Sequence, residues 1–111
     1  MADVSKETEK KINQLQMMEQ SLQALLMQKQ QFQLQQVELE SALKELENVN
    51  EAYKIIGNIM VLSKKDDIKE DLNSKMEIAG LRIKNLEKQE NQFREKASKL
   101  QNEVLKDLKQ D

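Results

Sequence analysis

Two apolar stripes, each repeating at alternating steps of three and four residues, constrain this chain more than any other feature. The first runs through Leu15, Met18, Leu22, Leu25, Lys29, Phe32, Gln36, Leu39, Leu43, Leu46, Asn50 and Tyr53. Nine of those twelve positions are apolar, and the pattern is that of a coiled-coil seam. The second runs through Leu72, Met76, Ala79, Ile83, Leu86, Glu90, Phe93, Ala97, Leu100, Val104 and Asp107, with nine of eleven apolar. Ten glutamines lie between Gln14 and Gln36. Glutamine is a good helix former, so this tract reads as a helix with an uncharged polar surface.

Between the stripes lies the one stretch that does not read as helix, Ala52 to Ser63. Gly57-Asn58 separates two short β-prone runs there, and glycine supplies the positive φ that a two-residue primed turn needs. A tight turn pairs Ile56 with Ile59, Ile55 with Met60, Lys54 with Val61 and Tyr53 with Leu62. Alternation along each strand then gives one wholly apolar face, Tyr53, Ile55, Met60 and Leu62. The other face is mixed: Ala52, Lys54, Ile56, Ile59, Val61 and Ser63. An isolated two-stranded hairpin is marginal in water and both its edges are open. The hairpin is therefore expected to assemble with others; the alternative is a plain connection between helices.

The expected organisation is a single domain: a helix over about 6–51, a hairpin over 52–63 and a helix over about 64–108. Ser63-Lys64-Lys65-Asp66 reads as a capping box at the second helix, with Asp66, Asp67, Glu70 and Asp71 suited to the helix dipole. The hairpin reverses the chain, so the helices are expected to pair antiparallel, with both termini at the same end. Matching the stripes puts Leu46 with Leu72, Phe32 with Leu86, Leu25 with Phe93 and Leu15 with Val104. It also puts the two charged exceptions, Lys29 and Glu90, in one layer. Either they pair there, or both reach past the seam edge to solvent. Gly80 either permits a close approach or bend, or is simply tolerated.

Composition narrows the function. The 111 residues include no Pro, Cys, His or Trp and only three aromatics, too little for a large globular core but enough for a seam. Without His or Cys, the usual general bases, thiol nucleophiles and zinc ligands are missing, and no phosphate-binding glycine loop is present. No enzyme activity, catalytic residue, metal or cofactor is expected. A net charge of −2 with acids and bases interspersed argues against a nucleic-acid partner. No apolar run is long enough for a membrane span, and the N-terminal residues lack a signal-peptide core. With no cysteine, a cytoplasmic setting is expected.

Helical arm, then Tyr53-Lys54-Ile55-Ile56-Gly57-Asn58-Ile59-Met60-Val61, then a second arm of equal length resembles prefoldin, specifically the β class of archaeal type. That family's β subunits carry one hairpin between the arms and its α subunits two. The resemblance covers essentially the whole chain, and the Tyr-Lys…Gly-Asn-Ile block is its most specific part. It implies a hexamer with two α-class and four β-class subunits, whose hairpins form a β-barrel platform. On that reading Tyr53, Ile55, Ile56, Ile59, Met60, Val61 and Leu62 carry the oligomerisation. It further implies that unfolded client polypeptides are held at the far arm ends, without ATP, and passed to a group II chaperonin. Apolar residues near the termini exceed what one seam needs, so Ile12, Leu15, Met17, Met18, Leu26, Met27, Val104, Leu105 and Leu108 are candidate client contacts, within roughly Val4–Met27 and Leu100–Leu108. Of these, Met17, Leu26, Met27 and Leu105 are expected to be exposed, and Leu22 and Leu25 to be seam. The competing reading is a structural spacer or tether whose hairpin is only a joint.

Overall fold

A computed structural model describes residues 5–110, the side chain of Gln110 excepted. The order of elements is α1 (Lys6–Glu47), β1 (Ala52–Ile56), β2 (Ile59–Ser63) and α2 (Lys65–Gln110). The fold is mostly α, two long helices joined by one antiparallel hairpin. Every expected seam position from Leu15 to Leu46 and from Leu72 to Asp107 is buried or half-buried. Leu46, Ala79, Ile83, Leu86 and Val104 are the most enclosed apolar side chains. Such burial, at about 1.5–3 kcal/mol per large side chain, holds these helices far better than intrinsic propensity does.

The chain divides into two compact units. One combines the helix ends, α1 up to Lys29 and α2 from Asn85; the other is Gln30–Lys84, which contains the hairpin. In the terminal unit the helices run antiparallel, with Lys11 against Asp107 at 3.0 Å and Lys29 against Glu90 at 3.1 Å. They run antiparallel in the hairpin unit too, where the Arg82 guanidinium sits 5.5 Å from the Phe32 ring centre and Lys65 Nζ donates to the Glu47 carbonyl.

Lys29 and Glu90 do share a layer, and their side chains are only 21% and 13% exposed. They pair rather than extend to solvent. Lys29 Nζ donates to Glu90 Oε2, while Arg94 donates to Oε1 from Nε and Nη2 at 3.2 and 3.0 Å. Both carboxylate oxygens are thus held by charge-assisted bonds. These hydrogen bonds, from Lys29 first and then Arg94, hold the Glu90 carboxyl below its ordinary pKa. Lys29→Glu and Glu90→Lys should each destabilise the chain in urea. Combining them should recover part of the loss but not all, because a lysine at position 90 lies one turn from Arg94. A coupling of zero across the four proteins would mean the pair contributes nothing to register.

The helix ends differ from expectation in two places. α1 stops at Glu47, so Asn50 and Tyr53 lie outside the seam and are exposed. Asn48 N and Val49 N bond the Glu45 and Leu46 carbonyls, tightening the last turn, and Asn-Val-Asn then has little reason to continue a helix. Ser63 does not cap α2. It is the last residue of β2, and its hydroxyl donates to the Val61 carbonyl. Lys64 takes the cap position, with its carbonyl accepting from Ile68 N, and Asp66 and Asp67 offset the dipole in the first turn. At the other helix, Ser5 Oγ accepts from Thr8 N and caps α1. Gly80 is not required by a close approach: a Cβ there would meet Gln36 Nε2 at 3.5 Å, an ordinary contact.

Candidate functional site

The hairpin forms in the expected register, Tyr53 opposite Leu62, Lys54 opposite Val61, Ile55 opposite Met60 and Ile56 opposite Ile59. Gly57 takes φ 59° and Asn58 does not have positive φ, the pattern of a II′ turn with glycine first. Lys54 reaches Asp71 of α2 at 3.3 Å, and Ala52 and Ser63 on the same face are half-buried. That pair turns the Lys54 face toward α2. The opposite face, Tyr53, Ile55, Met60 and Leu62, is 56–69% exposed. Ile56, Ile59 and Val61 are exposed as well. Seven large apolar side chains on ten strand residues thus meet solvent, on a sheet with two unpaired edges. A soluble surface does not tolerate such a patch without a partner.

The second candidate surface belongs to the terminal unit. Met17, Met27, Leu105 and Leu108 are exposed there. Ile12, Leu15 and Met18 are half-buried, and Leu22, Leu25 and Leu100 are half-buried in the seam. Two expectations need correction. Leu26 is half-buried, because it flanks the seam beside Leu25 and Leu22. Val104 is only 7% exposed and fills the seam, so it offers a client no face. Val4 lies outside the described residues.

This unit also holds a polar layer that the apolar pattern conceals. Thr8 is 1% exposed; its hydroxyl bonds Ser5 Oγ at 2.8 Å and donates to Asp107 Oδ2 at 3.3 Å. Lys11 donates to the same Oδ2 and lies 3.6 Å from Glu103. The hydrogen bond to Asp107 raises the Lys11 pKa, burial opposing it, and the bond from Lys11 lowers that of Asp107. Stepping back from Leu15 by four and then three reaches Lys11 and Thr8, opposite the seam position Asp107. The stripe therefore continues in polar form, a signal missed by following apolar residues alone.

The hairpin unit carries further apolar exposure that was not anticipated: Leu34, Val37, Ile78 and Leu81 are 52–63% exposed. Ile78 belongs to an open groove floored by Phe32, Leu39 and Ala79 and edged by Lys75 and Arg82. No described helix is long and apolar enough to cross a membrane.

Residues 9–111 match the family described as prefoldin subunit. A prefoldin subunit beta of Archaeoglobus fulgidus is 35% identical, with 94% of this chain and 92% of that one aligned. One from Methanospirillum hungatei is 32% identical over 97% and 92%. The crystal structure of the prefoldin beta subunit from Thermococcus strain KS-1 superposes with a TM-score of 0.88 at 31% identity, over 94% of each chain. Family match, relatives and superposed fold each extend over almost the whole sequence, and the chain belongs to the prefoldin family.

Proposed function

We propose that this chain is the β-class subunit of a hetero-hexamer with two α-class partners, which holds unfolded polypeptides without ATP and passes them to a group II chaperonin. Membership of the family supports a chaperone role in general. The particular observation that supports the finer reading is that exposed apolar residues occur both on the hairpin sheet of one unit and on the helices of the other. The hairpin surface is a β-sheet with open edges, suited to strand-to-strand assembly. The helical surface around Met17, Met27, Leu105 and Leu108 is rich in flexible side chains, suited to clients of many sequences. A spacer whose hairpin was only a joint would have no use for the Tyr53, Ile55, Met60 and Leu62 face. No step of this activity is catalytic, and it operates in the cytoplasm.

Co-expression with an α-class subunit, followed by native mass measurement, tests the stoichiometry. The purified assembly, in less than equimolar amount and without nucleotide, should keep a chemically unfolded protein from aggregating on dilution. An assembly of the expected mass that leaves aggregation unchanged would remove the holding function and favour the spacer.

A further inference from the structure

The exposed face of α1 in the terminal unit is unusual for a solvated helix. Of the fifteen residues from Asn13 to Met27, only Glu19 is charged. Asn13, Gln16, Gln20, Gln23 and Met27 recur at steps of three and four, so they form one stripe, and all five are exposed. A shallow cleft on this helix is lined by Gln16, Glu19, Gln20, Leu22 and Gln23. The outer face of α2 in the same unit is the ordinary kind: Lys88, Glu95, Lys99, Lys106 and Lys109 are all charged and exposed. Helix formation alone would be served as well by Glu or Lys as by Gln. The absence of charge therefore calls for a different reason.

Building on the holding function, we infer that Gln16, Gln20 and Gln23 bind the backbone of the unfolded client, while Met17 and Met27 take its apolar side chains. A glutamine amide offers two donors and an acceptor, the complement of a peptide group. An unfolded chain carries unpaired N–H and C=O groups along its whole length, whatever its sequence. A charged side chain would bond only one of the two kinds, and covering it with a client would cost more desolvation than covering an amide. Glutamine thus binds what all unfolded chains share, and Glu19 at the cleft edge disfavours acidic segments. The favoured client is an uncharged, extended stretch of polypeptide with its backbone unpaired.

The test uses the full chain in its assembly and a dye-labelled, uncharged, unstructured peptide of Ser, Gly and Leu. A second version has alternate backbone nitrogens methylated, which removes donors without adding charge. Wild type should bind the methylated peptide about tenfold more weakly, as expected for the loss of one or two hydrogen bonds. The Gln16→Ala, Gln20→Ala, Gln23→Ala variant keeps its helix, since alanine is the better helix former. It should bind the plain peptide about five- to tenfold more weakly and discriminate against methylation less than twofold. Equal discrimination in both proteins, or equal binding of the plain peptide, would overturn the inference. So would a drop in assembled mass in the variant, which would assign the stripe to a second copy of this chain. If wild type binds neither peptide yet keeps an unfolded protein soluble, this inference alone fails. If it does neither, the holding function fails with it.

Discussion

Replacing Ile55 and Met60 with aspartate should leave a folded helical chain that no longer assembles. The two residues face each other across the strands and are 68% and 69% exposed. In the lone chain their carboxylates would stand in water, and the seam would be untouched. The local cost is the repulsion of like charges directly opposite on a sheet, up to about 1 kcal/mol. In an assembly built on this face the cost is of another order. Two apolar side chains lose roughly 1.5–3 kcal/mol of burial each, and every charge taken from water adds several more. At 1.4 kcal/mol per tenfold, association should weaken by at least about a thousandfold. Helix content by circular dichroism should stay high while scattering reports unassembled chains. Ile55→Lys with Met60→Asp separates hairpin from interface, because its cross-strand pair attracts. It too should fail to assemble. A wild-type mass for either protein would show that the face is not buried between subunits.

How much of this was legible in the sequence depended on whether a feature was periodic or local. The seam is periodic, and its steps of three and four located the buried Leu46, Ala79, Ile83, Leu86 and Val104 as well as the Lys29–Glu90 layer. The hairpin register followed from one glycine, because a two-residue loop leaves no freedom once Gly57 supplies the turn. What failed was decided by competition at single residues. Ser63 has the chemistry of a cap, but pairing with Ala52 claims it for β2 and its hydroxyl turns to Val61. Asn50 and Tyr53 fit the spacing of the seam, yet the helix ends at Glu47, before either. Leu26 looked surplus because it is off the seam, although a residue beside the seam can be half covered by it. The polar end layer of Thr8, Lys11 and Asp107 obeys the spacing but breaks the apolar rule, so a search for apolar residues passes over it.

That polar layer decides how the client surface must be tested. Trimming residues 1–9 and 105–111 would remove Met1–Val4 and Asp111, which are outside the described residues. It would also remove the Ser5 cap, the buried Thr8 and the carboxylate that holds Lys11. A trimmed chain should hold clients poorly, but frayed helix ends and a missing surface would contribute together. Met17→Ser, Met27→Ser, Leu105→Ser and Leu108→Ser avoids this ambiguity. All four side chains are 45–69% exposed, so none leaves a cavity, and the substitutions cost only the lower helix propensity of serine, roughly 1 kcal/mol per helix at most. The altered residues belong to the terminal unit and the hairpin to the other, so assembled mass should be unchanged. Each arm's contact with a client is expected to be weak, because flexible partners lose freedom on binding. Several arms on one chain multiply through effective concentration, so weakening every arm compounds. Aggregation suppression should fall severalfold for a client short enough to meet one or two arms. For one long enough to span more, it should fall by an order of magnitude or beyond. Salt at 1 M should change little in either case, because screening acts on charges and this grip rests on uncharged side chains. Suppression undiminished in the quadruple variant at wild-type mass would mean that clients are held elsewhere, and the exposed apolar groove beside Ile78 in the hairpin unit would be the next surface to alter.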